Sequence, residues 1–156
     1  MPADSERAPD LAVGLPHTWR PLGPRIAGIA AGTILLVLFL AAWLAFDDET
    51  RARFTAFQIG TLAALWLGGG AAMFALVRSR VVAERDRLVI VNGYRRRELD
   101  WAQVIAVRLP PGAPWVTLDL ADGDVVSAMG IQGSDGQRAR LAVRQLRALV
   151  EQPPNR

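Results

Sequence analysis

Leu88-Val89-Ile90-Val91-Asn92-Gly93-Tyr94-Arg95-Arg96-Arg97-Glu98-Leu99-Asp100-Trp101 is the stretch on which the fold turns. A β-branched run, an Asn-Gly pair and a second run make the strongest short-range signal for a β-hairpin, since both residues of that tight turn take positive φ. The strand 88–91 should therefore return along 94–99. Asp100-Trp101-Ala102-Gln103 then reads as one capped turn, with Gln103 three residues after Asp100. Outward from this hairpin the same grammar repeats. Val81-Val82 precedes it, and short runs at 104–109, 115–120 and 125–129 follow. Pro110-Pro111-Gly112-Ala113-Pro114 breaks the first pair of these, and Asp122-Gly123 makes a tight turn in the second. Turn-bounded strands at this spacing predict a small antiparallel barrel or sandwich.

A helix should close the segment. Ser134 with Gln137 has the spacing of a capping box. Ala139, Ala142, Val143, Leu146, Leu149 and Val150 then form one apolar stripe, which should cover the strand layer. Arg140, Arg144 and Arg147 fall on the other side, as a solvated face or as contacts for anionic lipid or an acidic partner. Trp101, Trp115 and Leu146 are the expected core anchors.

Before the strands the pattern is different. Residues 26–46 carry no charge, and neither do residues 54–77. Each run is long enough to cross about 30 Å of hydrocarbon as a helix. They predict a transmembrane hairpin over 26–77, with spans at about 26–46 and 57–77. A cleaved signal sequence fits less well, because the preceding 25 residues carry acids and the apolar run is too long. Gly28 and Gly32, and Ala64 and Gly68, are small residues four apart, which lets helices approach closely. The simpler outcome is that the two helices pack on each other; the alternative is a seam between two copies, a homo-oligomer.

The charges orient this hairpin. All eighteen cations of the chain are arginine. The segment 78–150 has twelve arginines against eight acids, whereas 47–56 has Arg51 and Arg53 against Asp47, Asp48 and Glu49. Basic flanks stay in the cytoplasm. Both termini should thus be cytoplasmic, in a bacterial plasma membrane, with the acidic connection outside. Residues 1–25 hold five prolines and mixed charge, a composition that predicts a disordered tail. His17 lies there without partners, and Trp19 should rest at the lipid interface. A cytoplasmic strand domain would occupy 78–150, and 151–156 would be a short tail.

Two apolar helices, six strands and an amphipathic helix form a recognisable order. Ala83-Glu84-Arg85-Asp86, the basic strand through Asp100-Trp101, Pro114-Trp115 and Leu118-Asp119-Leu120-Ala121-Asp122-Gly123 carry a further likeness. Over about residues 78–150 the chain resembles the membrane-anchored, PH-domain-containing low-molecular-weight protein antigen 6 family of actinobacteria. The resemblance implies a membrane-anchored α+β protein: two transmembrane helices, then a PH-like barrel with its C-terminal helix against one open end. It implies no catalytic residues, and the phosphoinositide ligand of many eukaryotic PH domains does not transfer to bacterial membranes.

The chemistry the residues exclude is broad. Cysteine is absent and His17 is the only histidine, so no thiolate metal site or Ser-His-Asp set is expected, and with no Walker motif or dinucleotide fingerprint no cofactor is expected either. Asp119, Asp122 and Asp124 suggest a calcium loop, but Met129 stands where its glutamate belongs. Neither apolar run holds a charged group, as a transport or proton-relay site would need. A nucleic-acid groove would need more aromatics than Tyr94 and Trp101 beside the arginines. The remaining candidates are Arg78, Arg80, Arg85, Arg87, Arg95, Arg96 and Arg97, as contacts to anionic lipid headgroups or a protein partner. On a strand, Arg95 and Arg97 share one face and Arg96 takes the other. The expected function is a non-enzymatic interaction module on the cytoplasmic face. The alternative is an accessory subunit of a larger transport or cell-envelope complex.

Overall fold

The computed structural model describes residues 13–154. Two long helices, α1 (Gly23–Ala45) and α3 (Ala56–Arg78), flank a short α2 (Asp48–Ala52). At 23 residues each, they reach about 34 Å at 1.5 Å per residue. They are long and apolar enough to cross a membrane, and none of their residues is buried. The sequence explains where they start. Pro24 sits in the first turn of α1, where its missing N–H costs nothing. Thr55 and Gln58 form a reciprocal cap on α3, with Thr55 N–H donating to Gln58 Oε1 at 2.9 Å. Asp47 caps α2 by accepting from Thr50 N–H at 2.7 Å.

Among the described residues seven strands follow the expected antiparallel logic, one more than the sequence suggests. The first sheet runs β1 (His17–Trp19), β2 (Arg80–Ala83), β3 (Arg87–Asn92) and β4 (Arg95–Asp100) in that order. The second holds β5 (Val104–Arg108), β6 (Trp115–Leu120) and β7 (Val125–Gln132). Period-two alternation is clear in β6, where Val116, Leu118 and Leu120 are buried and the residues between them are not. The sheets meet where β7 crosses β2. A side chain at Gly130 would stand 2.5 Å from the Arg80 and Val81 backbone, so only glycine fits this crossing. Asn92 stitches the same seam: its amide donates to Ser127 C=O at 2.5 Å, and its Oδ1 accepts from Met129 N–H at 3.0 Å.

The final helix, α4 (Gln137–Glu151), lays Ala139, Ala142, Val143 and Leu146 into the core, with Leu149 and Val150 partly buried against it. It runs one residue into the expected terminal tail.

Four local expectations need correction. The hairpin turn is Gly93-Tyr94, not Asn92-Gly93: Asn92 pairs with Arg95 as a strand residue, and of the two only Gly93 has positive φ, at 59°. Asn92 is drawn into the ladder by its bonds to β7. The Ser134–Gln137 box does not form. Residues 133–135 make a 3₁₀ turn, and Gly136 at φ 59° starts the helix. Arg147 does not sit on a purely solvated face, because its Nε donates to Val107 C=O at 2.9 Å. Trp115 is only half-buried, since it shares the outward face with Thr117 and Asp119, whereas Trp101 and Leu146 are buried.

The expectation of a disordered tail over 1–25 fails for its described part. His17–Trp19 pairs with Val81–Ala83. Trp19 lies in the core instead of at a lipid interface, and its indole N–H donates to Gln145 Oε1 at 3.1 Å. Burial of that ring holds in place a three-residue strand too short to stand alone. Residues 1–12 lie outside the described part.

Candidate functional site

The strand domain is fastened to both long helices at one end, and three contacts fix it there. Ser79, buried at the end of α3, donates to Ala75 C=O at 3.1 Å and accepts from Gly93 N–H at 3.0 Å. Tyr94 lies alongside α3 and donates its hydroxyl to Ala71 C=O at 2.8 Å, its ring near that of Phe74. Asp135 accepts from the N–H groups of Leu22 and Gly23, at 3.0 and 2.8 Å. Because α1 has no side-chain cap of its own, this carboxylate supplies the missing acceptors at its N-terminus.

These ties divide the arginines. The proximal end of the domain holds the start of β2, the Gly93-Tyr94 turn, the 133–135 turn and the 110–114 loop, whose Pro114 C=O accepts from Gly133 N–H. The distal end holds the β2–β3 turn, the turn at 101–103 and the Asp122-Gly123 turn. From Arg87 to Asn92, β3 spans about 17 Å. Arg78, Arg80 and Arg95 are therefore proximal, while Arg85 and Arg87 are a strand length away. The seven candidates do not form one patch. Sequence proximity to the second apolar run misleads here, because the chain travels up β2 before it turns.

Three of the candidates are already paired. Arg87 bonds Glu98 at 2.8 Å and Asp86 at 2.6 Å, with Glu84 at 3.6 Å. The Arg87 guanidinium holds the Asp86 carboxyl below its usual range, and with Arg96 does the same to Glu98. Arg96 pairs with Glu98 at 2.6 Å and Arg97 with Asp124 at 3.4 Å. The expected alternation holds: Arg96 shares its face with Glu98, and Arg97 reaches the other sheet. Arg78 packs its guanidinium 5.9 Å from the Phe74 ring centre. The acids once weighed as a calcium loop are also committed, with Asp119 against Arg108 at 2.5 Å.

Of the three glycines among the small residues, only Gly28 stands against the partner helix. An added Cβ there would touch the Met73 sulfur at 2.6 Å, whereas Gly32 and Gly68 face open space. The helices touch near Gly28 and again through Phe39 and Trp66, whose ring centres are 5.4 Å apart. Between these contacts they diverge around an apolar cleft that Gly32, Gly69 and Gly70 help to line.

Sequence reasoning missed the fastening residues. Asp135 was hidden inside an apparent capping motif for the wrong helix. Ser79 and Tyr94 carry no motif, and their partners are backbone groups that no pattern announces.

This architecture has relatives. Residues 78–149 match the bacterial PH domain family. The PH-domain part of the sequence resemblance is thereby confirmed, while the narrower antigen 6 affiliation stays a resemblance. One uncharacterized protein of Mycobacterium bovis and two from strains of Mycobacterium tuberculosis are each 36% identical over 86 residues, 55% of this chain and 54% of theirs. The match thus spans about half the length of these curated relatives. No solved structure matches. Six of the seven strands and the closing helix fall largely within the matched residues, an arrangement consistent with a PH-like fold.

Proposed function

We propose that the chain is a two-span protein of the bacterial plasma membrane, with both termini cytoplasmic. Its PH domain is a non-enzymatic interaction module held against the inner leaflet. One observation carries this reading: the domain is fastened to the ends of both apolar helices through Asp135, Ser79 and Tyr94. With α1 and α3 across a bilayer, Arg78, Arg80 and Arg95 stand at headgroup level. There each arginine is worth about 1 kcal/mol against anionic lipid. Tyr94 supports the same placement. It is 64% exposed beside α3, and its hydroxyl meets the helix seven residues before Arg78, about 10 Å along the axis. An exposed tyrosine at that depth belongs to the interfacial aromatic belt.

Reporter fusions test the topology. A phosphatase domain inserted after Ala83 should be inactive, and one inserted within 47–56 should be active. Periplasmic activity after Ala83 would reject the reading. Co-purification of stoichiometric subunits from mild detergent would favour an accessory place in a larger complex.

A further inference from the structure

We propose that the groove between α4 and the end of β5 holds the phosphate headgroup of one anionic phospholipid. The proposal rests on the membrane placement above and names a ligand site that the arginines of β2 to β4 do not form. The groove is lined by Leu109, Leu141 and Val143 and by Arg140, Arg144 and Arg147, in a volume of about 830 Å³. Spacings of three and four bring these arginines along one side of the helix. No carboxylate lines the groove. Among the described residues, none of the three has an ion-pair partner, whereas Arg87, Arg96, Arg97 and Arg108 each have one. Arg147 is aimed by its Nε bond to Val107 C=O, which leaves its terminal nitrogens for an anion. Guanidinium groups match phosphate oxygens in pairs.

Position selects the source of the phosphate. α4 starts one residue past the turn whose Asp135 caps α1. Leu109 leads into the loop that bonds Gly133. The mouth of the groove thus lies at the proximal end, level with the headgroups of the leaflet that α1 would enter. Its lining combines cations with leucine and valine side chains. A phospholipid presents the matching pair, a phosphate beside the first carbons of its acyl chains. A free polyanion would have no use for the apolar floor.

Native mass spectrometry of the full chain in mild detergent tests this, with phosphatidylglycerol and phosphatidylcholine as competing probes. Phosphatidylglycerol should be retained selectively, at one lipid per chain above background. Arg140→Gln with Arg144→Gln should weaken that retention roughly thirtyfold, the ratio expected for two arginine–headgroup contacts. Among the described residues neither side chain makes a hydrogen bond or an ion pair, so the thermal melt should not move. Arg85→Gln, at the distal end, should leave retention unchanged. Equal retention of both lipids, or retention that survives the double variant, would overturn the groove as the site. Release of the full chain from membranes by alkaline wash would overturn the membrane reading and this occupant with it. A chain that resists the wash yet shows no lipid selectivity overturns the groove alone.

Discussion

Asp135 accepts a hydrogen bond from Gly23 N–H at 2.8 Å, although 112 residues separate them. The first apolar helix is thus capped by the strand domain rather than by its own flank. Asp135→Ala should remove a contact worth about 1 kcal/mol, the usual value of an N-cap. Amide exchange at Leu22 and Gly23 should rise in the full chain, with little change in the sheets. Unaltered exchange at these two amides would show that the cap is dispensable.

Gly130 and Gly68 should respond in opposite ways to alanine. At Gly130 the new Cβ would strike the backbone of Arg80 and Val81 at 2.5 Å, and backbone cannot rotate away. A loss of about 2–4 kcal/mol is expected. At Gly68 nothing lies within 4 Å, so Gly68→Ala should leave the melt unchanged or raise it slightly through helix propensity. Thermal melts of the full chain in detergent would rank the two. Equal stability would contradict the sheet crossing.

Six strands, the closing helix and both apolar helices were legible because each rests on a local period. Runs such as 115–120 alternate on their own, and the stripe from Ala139 to Val150 needs no partner to be seen. The errors at Trp19, Asn92, Arg85 and Arg87 share a cause: each concerns a residue whose role is set by something distant. Trp19 looked like an interfacial ring because Gln145 was out of view. Asn92 looked like a turn residue because β7 was out of view. Arg85 and Arg87 looked juxtamembrane because sequence distance does not report the direction of a strand. The candidate site was therefore readable as residue types and not as a place.

Trp19 makes the 78–152 segment an incomplete folding unit. Its indole is 7% exposed, within the core cluster. Trp19→Ala should cost about 3–5 kcal/mol, a large share of a typical 5–15 kcal/mol total. The segment 78–152 should accordingly unfold at lower denaturant than a piece that retains β1. Denaturant unfolding of the full-chain variant, followed by circular dichroism, measures the loss. A midpoint equal to wild type would place Trp19 outside the cooperative core.

Acid should loosen the domain in two stages. Burial lowers the His17 pKa from 6.5, so the fold keeps the neutral ring that packs against Trp19 at 4.6 Å. The unfolded chain binds a proton more readily, so stability is full above pH 6.5 and declines as pH falls through the lower folded value. A second decline follows in the carboxylate range. Arg87 depresses Asp86 and Glu98 from 3.8 and 4.5. Their contribution is present above those values and is lost as pH falls through the depressed ones. These carboxylates are exposed, so salt should shrink the second stage more than the first. Melting temperature against pH, from pH 8 to about 3, separates the stages. His17→Gln should erase the first and leave the second; Arg87→Gln should leave the first and shrink the second, with Arg96 still holding Glu98 down. A single stage that neither variant alters would remove both groups from the account.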